Sequence, residues 1–185
     1  FDGEIDPHIA IQRYVGVEIE VEGTNLSGLK NELPNTIAVV YDGSIDGVEI
    51  NTPPATGSKI VDIISNTCKI LAKRKLQGTK NCGLHVHIDA RDIQGDYAKI
   101  VNIIKTFYAV EDLLYSMLPP SRWQSRFCKR LSNNYLYKNF NASKKKRDIE
   151  KTWYKDDAIR NIDARKKRKR DDTRYYGLNI HSIFY

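Results

Sequence analysis

Tyr14-Val-Gly-Val-Glu-Ile-Glu-Val-Glu22 alternates without a break. In an extended chain Val17, Ile19 and Val21 share one face and Glu18, Glu20 and Glu22 the other, with successive carboxylates roughly 6.8 Å apart, two residues of strand rise. The polar face of a half-buried strand ordinarily mixes Lys, Thr and Ser, whereas this one carries acids only. Like charges at that spacing repel unless a cation lies among them. An edge strand that keeps acids for solubility reads the same way in isolation, so the flanking sequence decides.

Gly23-Thr-Asn-Leu-Ser-Gly28 and Pro34-Asn35 are turn chemistry, and Ile37 to Tyr41 resumes a β-branched run. Asp42-Gly43 and Asp46-Gly47 are turn dipeptides, and Val48-Glu-Ile50 reads as a short strand ended by Pro53-Pro54. Strands joined by such short turns predict an antiparallel meander. Beyond the prolines, Thr56 or Ser58 can cap a helix with Ile60, Ile64, Cys68 and Leu71 on one face. Leu84-His-Val-His-Ile-Asp89 then repeats the logic of the first strand, with His85, His87 and Asp89 opposite Leu84, Val86 and Ile88. A second helix is predicted over about Asp96 to Met117, with Tyr97, Ile100, Val101, Ile104, Phe107, Tyr108, Leu114 and Met117 in a wide stripe stopped by Pro119-Pro120. Residues 1–12 read as a lead-in arm, and the uncharged, β-prone end from Tyr175 to Tyr185 as a return strand in the same sheet. The fold class is α+β, an antiparallel sheet with helices packed on one face.

The 185 residues, 41% hydrophobic and 29% charged, suit a single domain over 1–185 with one core. No apolar run approaches the ~18 residues of a membrane span, and no basic-then-apolar leader precedes the first strand, which argues against a membrane partner. Cys68, Cys82 and Cys128, odd in number and without a C-x-x-C pair, suggest reduced thiols and a cytoplasmic, intracellular setting. Charge is uneven: residues 1–121 carry 11 Lys plus Arg against 16 Asp plus Glu, and residues 122–185 carry 19 against 7. In the stretch 122–173 aromatics (Trp123, Phe127, Tyr135, Tyr137, Phe140, Trp153, Tyr154) interleave with basic residues, and the runs Lys144 to Arg147 and Arg165 to Arg170 are nearly pure positive charge. One or two short helices on the sheet's rim with mobile loops at the runs are expected there. Such runs are most simply solvated loops; otherwise they hold an acidic protein or peptide substrate, or nucleic acid.

With the strands side by side, about 4.8 Å apart, Glu18, Glu20 and Glu22, then Glu49, then His85 and His87 face the same way. A carboxylate-lined open face suits hard divalent cations, Mg²⁺ or Mn²⁺ rather than Zn²⁺. Mg²⁺ held by one or two carboxylates and sharing its other positions with phosphate oxygens is how proteins hold nucleotides for phosphoryl transfer.

Gly16-Val-Glu-Ile-Glu20, Asp42-Gly-Ser44 with Glu49-Ile-Asn-Thr-Pro-Pro54, Gly83-Leu-His-Val-His-Ile-Asp89 and Arg174-Tyr-Tyr-Gly-Leu-Asn179, in that order, resemble the amidoligase family of the carboxylate-amine ligase superfamily, which includes glutamine synthetase and glutamate-cysteine ligase. The resemblance covers about 13–118 and 174–185, and sets the basic stretch at about 122–173 apart as an insertion. It implies a glutamine-synthetase-like sheet with two helices on its convex face and a concave face holding ATP and Mg²⁺. The implied reaction is phosphorylation of a substrate carboxylate followed by attack of an amine, giving an amide or peptide-like bond. Carried over by residue, Glu18, Glu20, Glu49 and His85 would be metal ligands. Arg174 and Asn179 would face the nucleotide or the acyl phosphate, and His87 would touch the nucleotide, a hydrogen-bonded packing role being its plainer reading. The family's usual following strand, Thr-x-Glu-Phe-Arg, is not reached before Tyr185, so either a continuation or second chain supplies it or the protein cannot complete the reaction. The expectation is that the sequence is an excerpt or a cleavage product whose last strand comes from a continuation or a second chain.

Glu22 is expected to face solvent, and His8 and His181 to be structural or exposed. Asp42 is read as a turn-former, Asp89 as the close of its strand and Cys82 as a small buried hydrophobe. The competing function is a catalytically inactive structural or nucleic-acid-binding module on the same scaffold, motivated by the basic stretch and its aromatics.

Overall fold

Period-two alternation becomes four strands: β1 (Val15–Glu22), β2 (Ala38–Asp42), β3 (Gly47–Asn51) and β4 (Leu84–Ile88). They form one antiparallel sheet in the order β2-β3-β1-β4. This is a computed structural model, and it describes residues 12–131, 145–155 and 158–184. The lead-in arm up to 11, His8, the aromatics Tyr135, Tyr137 and Phe140, and Lys144 lie outside the described residues. Contacts divide the chain into two compact units, Phe1–Asp89 and Ala90–Tyr185, where composition had suggested a single domain.

In the first unit β1 is one of two inner strands, paired with β3 on one side and β4 on the other. Its odd residues bond to β3 and its even residues to β4, as the rungs Thr52 N to Val17 O (2.9 Å) and Glu20 N to Gly83 O (3.1 Å) show. Close approach of β3 to β1 depends on Gly47: a Cβ there would fall 2.0 Å from the Val21 carbonyl oxygen. The apolar face packs Val21 and Ile50 against Leu29 of α1 (Leu29–Glu32), Leu33, Ile37, Leu76 and Leu71 of α2 (Gly57–Lys73). In α2 the buried stripe is Ile60, Thr67 and Leu71, while Cys68, expected on it, is exposed. Thr67 tolerates burial because its hydroxyl donates to the Ile63 carbonyl one turn back, at 2.8 Å. The apolar side chains of β4 are open, Leu84 at 62%, Val86 at 57% and Ile88 at 59% exposure.

The second unit is helical. α3 (Tyr97–Ser116) starts at Asp96, whose carboxylate accepts from Lys99 N at 3.1 Å, and is followed by α4 (Lys146–Tyr154), α5 (Ile159–Lys166) and α6 (His181–Phe184). Its core joins Ile100 and Ile104 to Leu131, Ile149, Trp153, Tyr154, Ile162, Tyr176 and Ile180. Two of the aromatics of the basic stretch, Trp153 and Tyr154, are thus core residues at 0% and 1% exposure. Met117 drops out of the expected stripe at 68% exposure, and Glu111 replaces it at 1%, its carboxylate accepting from Leu131 N at 2.5 Å. Arg165 and Lys166, expected in a mobile loop, close the last turn of α5, and Arg165 holds Asp171 at 2.8 Å.

The return strand expected at the end of the chain is not in the sheet. Residues Asp172–Tyr175 form a 3₁₀ turn and His181–Phe184 form α6. The cause is local and tertiary together. Asn179 accepts from His181 N through its side chain (3.0 Å), which turns the chain. His181, buried at 4%, is pinned by Tyr154 Oη at Nδ1 (2.8 Å) and the Arg168 carbonyl at Nε2 (2.7 Å).

Candidate metal and nucleotide site

The register puts one polar row across three strands. Glu18 stands opposite Asn51 on one side and His85 on the other, and Glu20 stands opposite Glu49. Both pairs with β3 fall between backbone rungs, the positions where facing side chains come closest. Two carboxylates therefore oppose each other directly at Glu20 and Glu49, and no lysine or arginine stands on this face of the four strands. All three of Glu18, Glu20 and Glu49 are half-buried.

Each carboxylate is oriented by a neighbour. Glu18 meets both imidazoles of β4, with Oε2 2.9 Å from His85 Nδ1 and Oε1 2.9 Å from His87 Nε2. Opposite His87 stands Gly16, so no side chain separates that ring from Glu18. An ionised carboxylate only accepts, so His85 carries its proton on Nδ1 and, when neutral, presents a lone pair at Nε2. That nitrogen points toward Gly83: a Cβ on Gly83 would lie 3.2 Å from His85 Nε2 and 3.2 Å from Glu20 Oε2. Gly83 N donates to that same Glu20 oxygen. Asn51 Nδ2 donates to Glu49 Oε1 at 2.7 Å.

Glu22, expected to face solvent, is half-buried and held. It accepts from Thr79 Oγ1 at 2.6 Å and from Asp46 N at 3.3 Å, and the Thr79 hydroxyl keeps its carboxyl below the usual range. It works as a turn anchor. Asn51 and Gly83 stand inside the quoted motifs but were given no role of their own, and Thr79 was not singled out. Asn51 was within reach, since it stands two residues after Glu49 and so on the same strand face.

Among the described residues no three His, Cys, Asp or Glu side chains form a ready-made metal cage. The donor set nevertheless fits a hard divalent cation: uncompensated carboxylate oxygens on neighbouring strands, with one imidazole lone pair converging on Glu20. Arg174 and Asn179 belong to the second unit. Arg174 is exposed, with its guanidinium 5.2 Å from the Tyr175 ring centre, and Asn179 is exposed with its side-chain oxygen on His181 N. None of the three cysteines is in a disulfide: Cys82 is buried as expected, Cys68 exposed and Cys128 half-buried. No helix among the described residues is long and apolar enough to cross a membrane.

An α+β chain with, among the described residues, a four-stranded antiparallel sheet and six α-helices, carrying an acid-and-imidazole row on one sheet face, is the class that these features define. Residues 38–185 match the family described as "Putative amidoligase enzyme", and the chain belongs to that family. The match includes Glu49, His85, His87, Arg174, Asn179 and the whole basic stretch, while β1 with Glu18 and Glu20 precedes it. No curated protein and no solved structure matches the chain.

Proposed function

We infer that the protein is an ATP- and Mg²⁺-dependent carboxylate-amine ligase that forms an amide or peptide-like bond through an acyl phosphate. The observation that carries this reading is the direct opposition of Glu20 and Glu49, beside Glu18 and His85, on a sheet face without any cationic side chain. Membership of the amidoligase family supports it from an independent direction. A bound divalent ion would supply charge neutralisation at the phosphoryl oxygens.

The chain's own residues would then do the rest. Glu20 and Glu49, held by Gly83 N and Asn51 Nδ2, offer oxygens toward the ion, and His85 offers Nε2. Glu18 orients His85 through Nδ1, as outer carboxylates commonly do for metal-binding imidazoles. His87 is held by the other oxygen of Glu18 and would contact the nucleotide. In the reaction a substrate carboxylate oxygen bonds to the γ-phosphorus of ATP and ADP leaves. The amine nitrogen then bonds to the acyl carbon, phosphate leaves and the nitrogen gives up a proton. Positioning and electrostatics, more than proton transfer by a side chain, would carry such a step.

Calorimetric titration with Mg²⁺-ATP tests this. Glu20→Gln and Glu49→Gln should abolish measurable binding while far-UV circular dichroism stays unchanged. Binding of undiminished affinity by both variants would contradict the assignment.

A further inference from the structure

Trp123 to Arg130 and Arg174 to Gly177 lie far apart in sequence, yet the second unit joins them. Lys129 N donates to the Tyr175 carbonyl at 2.7 Å and Gly177 N to the Lys129 carbonyl at 2.9 Å, and Tyr115 Oη donates to the Cys128 carbonyl at 2.7 Å. Across this clip Phe127 meets Tyr175 edge to face, with centroids 5.4 Å apart and planes at 72°. Arg126 lies 4.6 Å from the Phe127 ring centre, and Lys129 and Arg174 lie 6.0 and 5.2 Å from that of Tyr175. Phe127 faces water rather than the core at 53% exposure, Tyr175 is half-buried, and nearby in sequence Trp123 is 45% exposed, its indole tied to the Leu118 carbonyl.

Four acids of this unit are engaged by other cations. Asp171 is held by Arg165, Glu150 by Arg147 and Lys166, Asp163 by Arg147, and Asp112 by Arg130. Among the described residues Arg126, Lys129 and Arg174 have aromatic rings as neighbours and no carboxylate partner. A fixed, water-facing phenyl ring set against the half-buried Tyr175, among these cations, matches the chemistry of a strand with both π-faces and phosphates. An acidic peptide would use the cations but not the phenyl ring, and a duplex keeps its bases stacked inside.

We propose that this clipped surface binds single-stranded nucleic acid, with bases stacking on Phe127 and Tyr175 and phosphates meeting Arg126 and Lys129. The surface lies wholly in the second unit and does not depend on the ligase reading. Arg174 is left unchanged in the test, because the family resemblance already gives it a role of its own.

The full chain is titrated into fluorescein-labelled oligouridylate and oligothymidylate, followed by anisotropy, with polyglutamate and a labelled duplex as comparison arms. Phe127→Leu keeps apolar bulk without the π-face and should weaken binding of the preferred oligomer about tenfold or more, while Phe127→Trp should bind at least as well as the parent. Arg126→Gln and Lys129→Gln should each reduce the salt slope by roughly one phosphate contact, ~0.7 for a single strand. The tighter of the two oligomers identifies the sugar. Equal binding by the parent and Phe127→Leu, tighter binding of the duplex, or competition by polyglutamate at equal charge would overturn the proposal.

Discussion

Replacing Glu49 by Gln should stabilise the protein without divalent ions and destabilise it, relative to the parent, with them. Glu20 and Glu49 oppose each other in a pair that lies between backbone rungs, where facing Cβ atoms are about 5 Å apart. Two unit charges at ~5 Å repel by roughly 3 kcal/mol at an effective dielectric constant of about 20 and by under ~1 kcal/mol in bulk water. Both residues are half-buried, so a value of about 1 kcal/mol follows for the strain that the uncharged side chain removes. Gln retains an oxygen for the Asn51 amide, which leaves that hydrogen bond intact. Mg²⁺ should reverse the order, because a ligand at a hundred times its dissociation constant stabilises by about 2.7 kcal/mol and the variant forfeits most of that. Backbone hydrogen exchange at Ile19 and Ile50, which face each other on adjacent strands, reads the stability of this unit directly. The reasoning fails if the variant exchanges faster than the parent in EDTA, or if Mg²⁺ slows exchange equally in both.

Gly47→Ala should cost more than a surface substitution, on the order of 3 kcal/mol or above, because the added methyl meets the Val21 carbonyl oxygen at 2.0 Å and neither strand can yield without losing rungs; urea unfolding checks this, and an unchanged midpoint would refute it. Burial works to raise the Asp171 carboxyl, but hydrogen bonds from Arg165 and Thr173 and the charge of Arg165 outweigh it and hold the group at about 2. Since the unfolded value is about 3.9, this contribution is present above pH 4 and fades as pH falls toward 2. Asp171→Asn should therefore cost on the order of 2 kcal/mol at neutral pH and little at pH 2, as measured by unfolding across that range. Trp153→Ala, at a position with 0% exposure, should cost about 3–5 kcal/mol, seen as a lowered unfolding midpoint.

The strands and their faces were legible in the sequence because period two is a local signal. Glu18, Glu49 and His85 could be placed on one side from spacing alone, and the register brings them onto neighbouring strands. Periodicity says which residues share a face but not what covers it, which is why the open apolar side of β4 went unforeseen. The end of the chain failed for a related reason. Tyr175 to Tyr185 has strand composition, but the Asn179 side chain turns it and His181 finds partners in Tyr154 and Arg168 that no local pattern reveals. Trp153 was counted only among the aromatics interleaved with basic residues, because its neighbours in sequence are charged while those in space are Tyr176 and the rest of the core.

The proposal that Glu20, Glu49 and His85 would hold a divalent ion is tested most directly with Mn²⁺ as a paramagnetic probe. Amide resonances of Glu20, Glu49, Gly83 and His85 should broaden first at substoichiometric Mn²⁺, and the effect should vanish in Glu20→Gln. Broadening centred elsewhere, or persisting at these four amides in Glu20→Gln, would contradict the account.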